Sequence, residues 1–400
     1  YFLNTDGALV NASSDLGNAG TWLLDPYDIT ISATTTTGTY NANYTAAANT
    51  SNVNTTDIQN TLNAGTNVTI QTGLLGSAGS QSGDITVNSA ISKTLGNAAT
   101  LTLTAYRNVT INAAIGSTSN ALGLTVTATT GALSGNGNLT LNGGALSVTQ
   151  ATDGIYSGII SGTASTLTKA GAGTLTLSGA NTYTGATTIS AGILAVSGNL
   201  SNSTAVTVSS GATYNVNASQ WIGSLAGAGT VSTANTSGTT ILTVGADNSS
   251  TIFSGVIQNN GSGLIALTKT GAGTLTLSGN NSYTGGTTIN NGTINMGSAN
   301  AISTSGTISF GGGTLQHSSS NTTDYSSRFS SAASQAYRVD TNGQNVTLAT
   351  ALTSSGGSFT KLGTGTLTLT GENTYTGGTN VNAGTLTLDR ASSTTGTVLA

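Results

Sequence analysis

Three stretches of this chain are nearly the same fifteen residues: GAGTLTLSGANTYTG from Gly171 to Gly185, GAGTLTLSGNNSYTG from Gly271 to Gly285, and GTGTLTLTGENTYTG from Gly363 to Gly377. Each holds an apolar pair that is answered by a second pair 19 residues on. Leu175 and Leu177 are followed by Leu194 and Val196, Leu275 and Leu277 by Ile294 and Met296, and Leu367 and Leu369 by Leu386 and Leu388. A β-branched residue lies between the pairs: Ile189, Ile289 or Val381. Alternation puts each pair on one face of a strand. A fixed return then sets the second strand on the first. This is the pattern of one turn of a parallel β-helix, whose coils stack at about 4.8 Å.

The same alternation recurs elsewhere, as in DITVN from Asp84, TLTLT from Thr100, GLTVT from Gly123 and NLTLN from Asn138. Strong helix formers are rare, so helix is not expected. The fold class expected is all-β, a right-handed parallel β-helix rod with about 19–22 residues per coil. Evenly wound, the chain makes about 18–20 coils and a rod of roughly 90 Å. Gly173, Gly273 and Gly365 stand at corners, where positive φ or close backbone approach favours glycine. Asn181, Asn281 and Asn373 are assigned turn positions in left-handed geometry. Tyr183, Tyr283 and Tyr375 are read as turn packing, with stacking on sugars as the alternative. Lys169, Lys269 and Lys361, just ahead of the glycines, are read as solvated or as capping carbonyls.

Composition narrows the function. Only 5% of residues are charged, against roughly a quarter in an average globular protein. Charge is scarce where like charges would repel on successive coils. The net charge is −4 with eight basic residues spread over 400, so the clustered Lys and Arg of a nucleic-acid groove are missing and nucleic acid is excluded as a partner. No apolar run approaches the ~20 residues that span a bilayer. No charged segment precedes an apolar run at YFLNTDGALV, so a mature product or a segment of something longer is expected. The absence of Cys agrees with export.

The motif G-x-G-T-L-T-L-S-G-x-N-T-Y-T-G-G-T-T-I-x-x-G-T-L resembles the passenger-associated β-strand repeat of bacterial autotransporter proteins. It holds at Gly171 to Leu194, Gly271 to Ile294 and Gly363 to Leu386, with Ala186, Ser282 and Asn380 as departures. VDTNGQNVTLA from Val339 also looks like that family, while TWLLDPYDITI from Thr21 and LTLTAYRNVTINAAI from Leu101 are similar to filamentous-haemagglutinin-type exoproteins. The resemblance implies a large secreted or surface-held protein, often adhesive, whose repeat helps fold and export the rod. The family's C-terminal membrane barrel does not follow TTGTVLA, which points to a cut segment or to export by another protein. The chain is divided accordingly: 1–50 as N-terminal cap and first coils, 51–150 as haemagglutinin-like β-helix, and 151–400 as β-helix with repeats near 167–196, 267–296 and 359–388.

Twelve carboxylates offer little chemistry. Asp25 and Asp28, beside Trp22 and Pro26, read as a turn or cap rather than as a paired acid and base. Trp221 reads as a core-filling or coil-closing residue. The densest ionisable stretch holds His317, Asp324, Arg328, Arg338 and Asp340. It breaks the alternation and is expected to be a protruding loop or an elaborated coil, the candidate ligand contact, with Arg328 paired to Asp324 on a short helix. Thr-x-Thr rows raise ice binding, but they look irregular. No catalytic set, metal site or cofactor site is assigned. The leading expectation is a non-enzymatic adhesin or passenger rod at the outer surface of a Gram-negative bacterium, mediating attachment, aggregation or biofilm contact. Its partners are the export machinery of the outer membrane and host, bacterial or polysaccharide surfaces, or further copies of itself. Alternatives are a subunit of an extracellular filament, sheath or lattice, and a polysaccharide-acting enzyme.

Overall fold

The computed structural model describes residues 27–38, 40, 42–46, 50–72 and 81–389. Trp22, Asp25 and Pro26 lie outside them. The chain winds as a parallel β-solenoid. Its longest face is a sheet of sixteen strands, from Asn43–Thr45 to Thr379–Val381. A second face has eleven strands, and shorter sheets of four, five and three complete the coils. Fifteen steps of about 4.8 Å make the long face about 72 Å. Coil length varies along the described residues. Val206 sits beside Leu225 after 19 residues, Leu101 beside Leu124 after 23, and Gly227 beside Phe253 after 26.

Alternation decides what faces inward. Ala99–Ala105 and Leu122–Ala128 alternate buried and half-buried, so Leu101 and Leu103 stack on Leu124 and Val126 inside the rod. Each such side chain contributes about 1.5–3 kcal/mol on burial. The apolar interior is continuous from Ile29 to Tyr375.

Two departures from the expected pattern lie near the start. The strand Ile29–Ser32 pairs with Ser51–Asn54 on one side and Ile85–Val87 on the other, so the chain doubles back before the regular winding begins. A nine-residue helix, Thr55–Asn63, then interrupts the strands. It forms because the Asn54 side chain caps Thr56 N at 2.7 Å, and because Ile58 and Leu62, one turn apart, both bury completely.

The repeats wind as their spacing requires. Leu175 and Leu177 pair with Leu194 and Val196, Leu275 and Leu277 with Ile294 and Met296, and Leu367 and Leu369 with Leu386 and Leu388. They do not share one face. Thr174–Leu177 belongs to the eleven-stranded sheet, but Thr274–Leu277 belongs to the sixteen-stranded one. The spacing of 100 residues between Tyr183 and Tyr283 is therefore not a whole number of coils, and the second repeat is turned by one face about the rod axis.

Candidate functional site

The Lys, Asn and Tyr side chains of the repeats point into the rod and hold its corners. Gly173 and Gly273 each pass so close to the coil before that a Cβ would meet backbone at 2.1 Å, while Gly365 has φ of +90°. Asn181 is buried and ties three coils: its Oδ1 accepts from Ile160 N at 2.9 Å, and its Nδ2 donates to Gly179 O and Asn199 O. Asn281 and Asn373 accept from Ile257 N and Leu352 N in the same way. None of the three has positive φ, which corrects the left-handed turn assigned to them; Asn142, Asn248 and Asn342 take that geometry. Tyr183, Tyr283 and Tyr375 are buried, so they pack the turns and offer no ring to a sugar.

Lys169, Lys269 and Lys361 are buried as well, which removes the solvated reading and leaves the capping one. Lys169 Nζ donates to the carbonyls of Ala170, Gly171 and Ala191 at 2.8, 2.9 and 3.3 Å. Lys269 caps Thr270 and Gly271, and Lys361 caps Leu362, Gly363 and Ala383. Burial pulls Lys169 and Lys269 down from 10.5 to about 8. Lys93, which sequence reasoning passed over, does the same for Leu95 O and Gly96 O. A signal was present: Lys169 follows Leu167 by two, so it shares that residue's inward parity.

The ionisable stretch is an elaborated coil and does not protrude. It leaves the strand Thr314–Gln316, makes a short 3-10 turn at Ser326–Arg328, and returns in the strand Ala336–Asp340, which pairs with the strand it left. His317 is fully buried; its Nδ1 donates to Asn321 O at 3.1 Å, and burial pulls its pKa below the ordinary value. Asp324 accepts from Ser326 N and from Ala349 N on the next coil, both at 2.8 Å. Asp340 accepts from Gln316 Nε2 and Asn342 N. Arg338 approaches Thr314 Oγ1 at 3.4 Å.

The expected pair of Arg328 with Asp324 does not form. Arg328 instead donates to the carbonyls of Ser303, Ser305 and Gly306, with its guanidinium 5.6 Å from the Tyr325 ring centroid. Carbonyls left unpaired by the preceding coil outbid a carboxylate already held by two amides. The ion pair found among the described residues is Arg107 with Asp84, at 2.5 Å. Beside Arg328 the surface opens into a hollow of about 660 Å³ lined by Gly306, Thr307, Ser327, Phe329, Ser330 and Ser331, among others. Phe329 forms its inner wall, 4.9 Å from Phe310 and 6.0 Å from Tyr337 between ring centroids. The five predicted contact residues thus act singly as struts, and of them only Arg328 borders this hollow.

Two further expectations are corrected on the outer surface. Trp221 fills no core: it is 52% exposed, because it stands at an outward strand position between Gln220 and Ile222, which are buried. One column of the Thr rows is more regular than expected. Thr69, Thr102, Thr125, Ser147, Thr168, Thr188 and Thr207 form one column in register on the long face. Beside it only Thr104, Thr127 and Thr149 continue the hydroxyls, before Ala170 ends that second column. Among the described residues no three His, Cys, Asp or Glu side chains gather as metal ligands.

Comparison with known proteins places the repeats. No solved structure matches the chain. It is 34% identical over 154 residues, 36% of its own length, to the adhesin BmaC autotransporter of Brucella suis biovar 1 (strain 1330), and spans about 4% of that protein. Residues 167–196, 267–296 and 359–388, the segments whose Leu pairs stack in register, match the passenger-associated-transport-repeat family.

Proposed function

We propose that this chain is part of the passenger rod of an autotransporter, secreted or displayed on the surface of a Gram-negative bacterium, and that it acts in attachment, aggregation or biofilm contact without enzymatic activity. The observation that carries this reading is the seating of three passenger-associated-transport-repeats as in-register coils of one continuous solenoid. The similarity to an adhesin over 154 residues supports it. A right-handed winding belongs to the reading, since crossovers between parallel strands of one sheet take that hand almost without exception. So do residues 1–150 as cap and haemagglutinin-like coils. The partners are the outer-membrane export machinery during secretion, and afterwards a host, bacterial or polysaccharide surface or another copy of the rod. The elaborated coil from His317 to Asp340 is the region assigned to contact.

Beads coated with the purified chain test the reading. Adhesion to cells or to extracellular polysaccharide, with separate rods of about 70 Å in electron micrographs, is the expected result. Inert beads, or rods joined into continuous filaments, overturn it.

A further inference from the structure

The hollow beside Arg328 holds a positive charge without a negative partner. The guanidinium's neighbours are the carbonyls of Ser303, Ser305 and Gly306 and the phenols of Tyr283 and Tyr325. Both oxygens of Asp324, four residues earlier, are taken by backbone amides. Among the described basic residues Arg107 is the one found in an ion pair, and Arg328 is the one that borders this surface hollow. Three of its five N–H groups are used in the carbonyl bonds, which leaves two. It borders the opening, because Gly306, whose carbonyl accepts from Arg328 Nε at 2.8 Å, also lines the hollow.

The remaining walls specify the ligand further. Thr307, Ser327 and Ser331 are exposed and offer hydroxyls that both donate and accept. Phe329 is half-buried, with its ring fixed from within by Phe310 and Tyr337, so an apolar side stands ready. One guanidinium matches a single carboxylate better than a phosphate, which carries about −1.5 to −2. No His, Cys, Asp or Glu lines the hollow, so it is equipped to hold a ligand and has no group to cleave one.

We infer that this hollow binds an acidic saccharide unit, with the sugar carboxylate on the free N–H groups of Arg328, its hydroxyls on Thr307, Ser327 and Ser331, and its ring edge against Phe329. The inference gives the adhesive reading a ligand class and rests on it.

The test is titration of the whole chain with glucuronate, against glucose, acetate and inorganic phosphate, followed by calorimetry or ligand-observed magnetic resonance. Arg328→Ala removes three struts and is a poor probe, because the coil itself depends on them. Ser331→Glu serves better: Ser331 is exposed at the rim, and a carboxylate there opposes an acidic sugar by charge alone. Glucuronate is expected to bind and the three comparators to bind much more weakly. Ser331→Glu should weaken glucuronate by about tenfold or more with an unchanged melting curve. Equal binding of glucose overturns the inference, as does binding of acetate or phosphate as strong as that of glucuronate, or a Ser331→Glu variant that still binds glucuronate fully. If coated beads adhere while glucuronate gives no signal, the saccharide site falls and the adhesive reading stands. If the beads are inert too, both fall.

Discussion

The Tyr183 hydroxyl lies 2.6 Å from Thr187 Oγ1 inside the solenoid, and the latch recurs at Tyr283 with Thr287 and at Tyr375 with Thr379. Both members of the first pair are fully buried, so losing one strands the other. Tyr183→Phe should cost about 1–3 kcal/mol, and Tyr183→Ala about 3–5 kcal/mol. Pairing Tyr183→Phe with Thr187→Val should recover most of the first loss, since both polar atoms are then gone. Chemical denaturation of the three variants checks this. A Phe variant as stable as the parent would show that the contact contributes nothing.

Gly192 should tolerate no side chain. Its φ is +65°, and a Cβ would stand 2.3 Å from Gly171 O on the coil before. Gly192→Ala is expected to destabilise by more than about 1 kcal/mol, with faster hydrogen exchange confined to residues near 170–215. Unchanged exchange there would contradict the packing described.

The buried lysines predict an unusual response to base. Burial holds Lys169 and Lys269 at about 8 when folded, against 10.5 in the open chain. Between those values the unfolded chain binds more protons, so stability rises with pH through that window and is level below it. Tyrosine acts in the opposite sense: burial raises Tyr283 from 10 to about 12, so its contribution is intact below 10 and is lost above. The melting temperature should therefore climb from pH 8 and peak near pH 10. In a Lys169→Met, Lys269→Met double variant the climb should flatten. A parent protein that melts earlier at pH 9.5 than at pH 7.5 would refute the assignment.

At the acid end, the elaborated coil should loosen first. Burial depresses His317 below 6.5, so as pH falls from 6.5 the unfolded coil takes up a proton that the folded one refuses, and stability is lost over that range. Protection of the amides at residues 317–340, measured against their intrinsic exchange rate at each pH, should fall between pH 7 and pH 5 in the parent and much less in His317→Gln. An equal fall in both would remove His317 as the cause.

Much of the fold was legible because a solenoid repeats its own rules. Parity along TLTL places Leu175 and Leu177 inward, and the 19-residue return places Leu194 and Val196 beside them. The parity that buries Leu167 also buries Lys169, yet a lysine's charge argues for water, and the sequence does not show the carbonyls that receive it. Arg328 and Asp324 sit at helix-pair spacing, but their partners come from Ser303 and Ala349 on neighbouring coils, more than twenty residues away in the chain. An aromatic residue is ordinarily core, but strand parity points Trp221 outward.

The sequence by itself determined the repeat strands, their inward apolar residues and the register within each repeat, because these depend on a two-residue period and a fixed return that can be counted. Only the tertiary structure decided which face each repeat occupies and where each charge comes to rest. Coil lengths of 19, 23 and 26 residues change which face a given residue count reaches, and only the finished winding brings the carbonyls and amides of neighbouring coils to Lys169, Asp324 and Arg328.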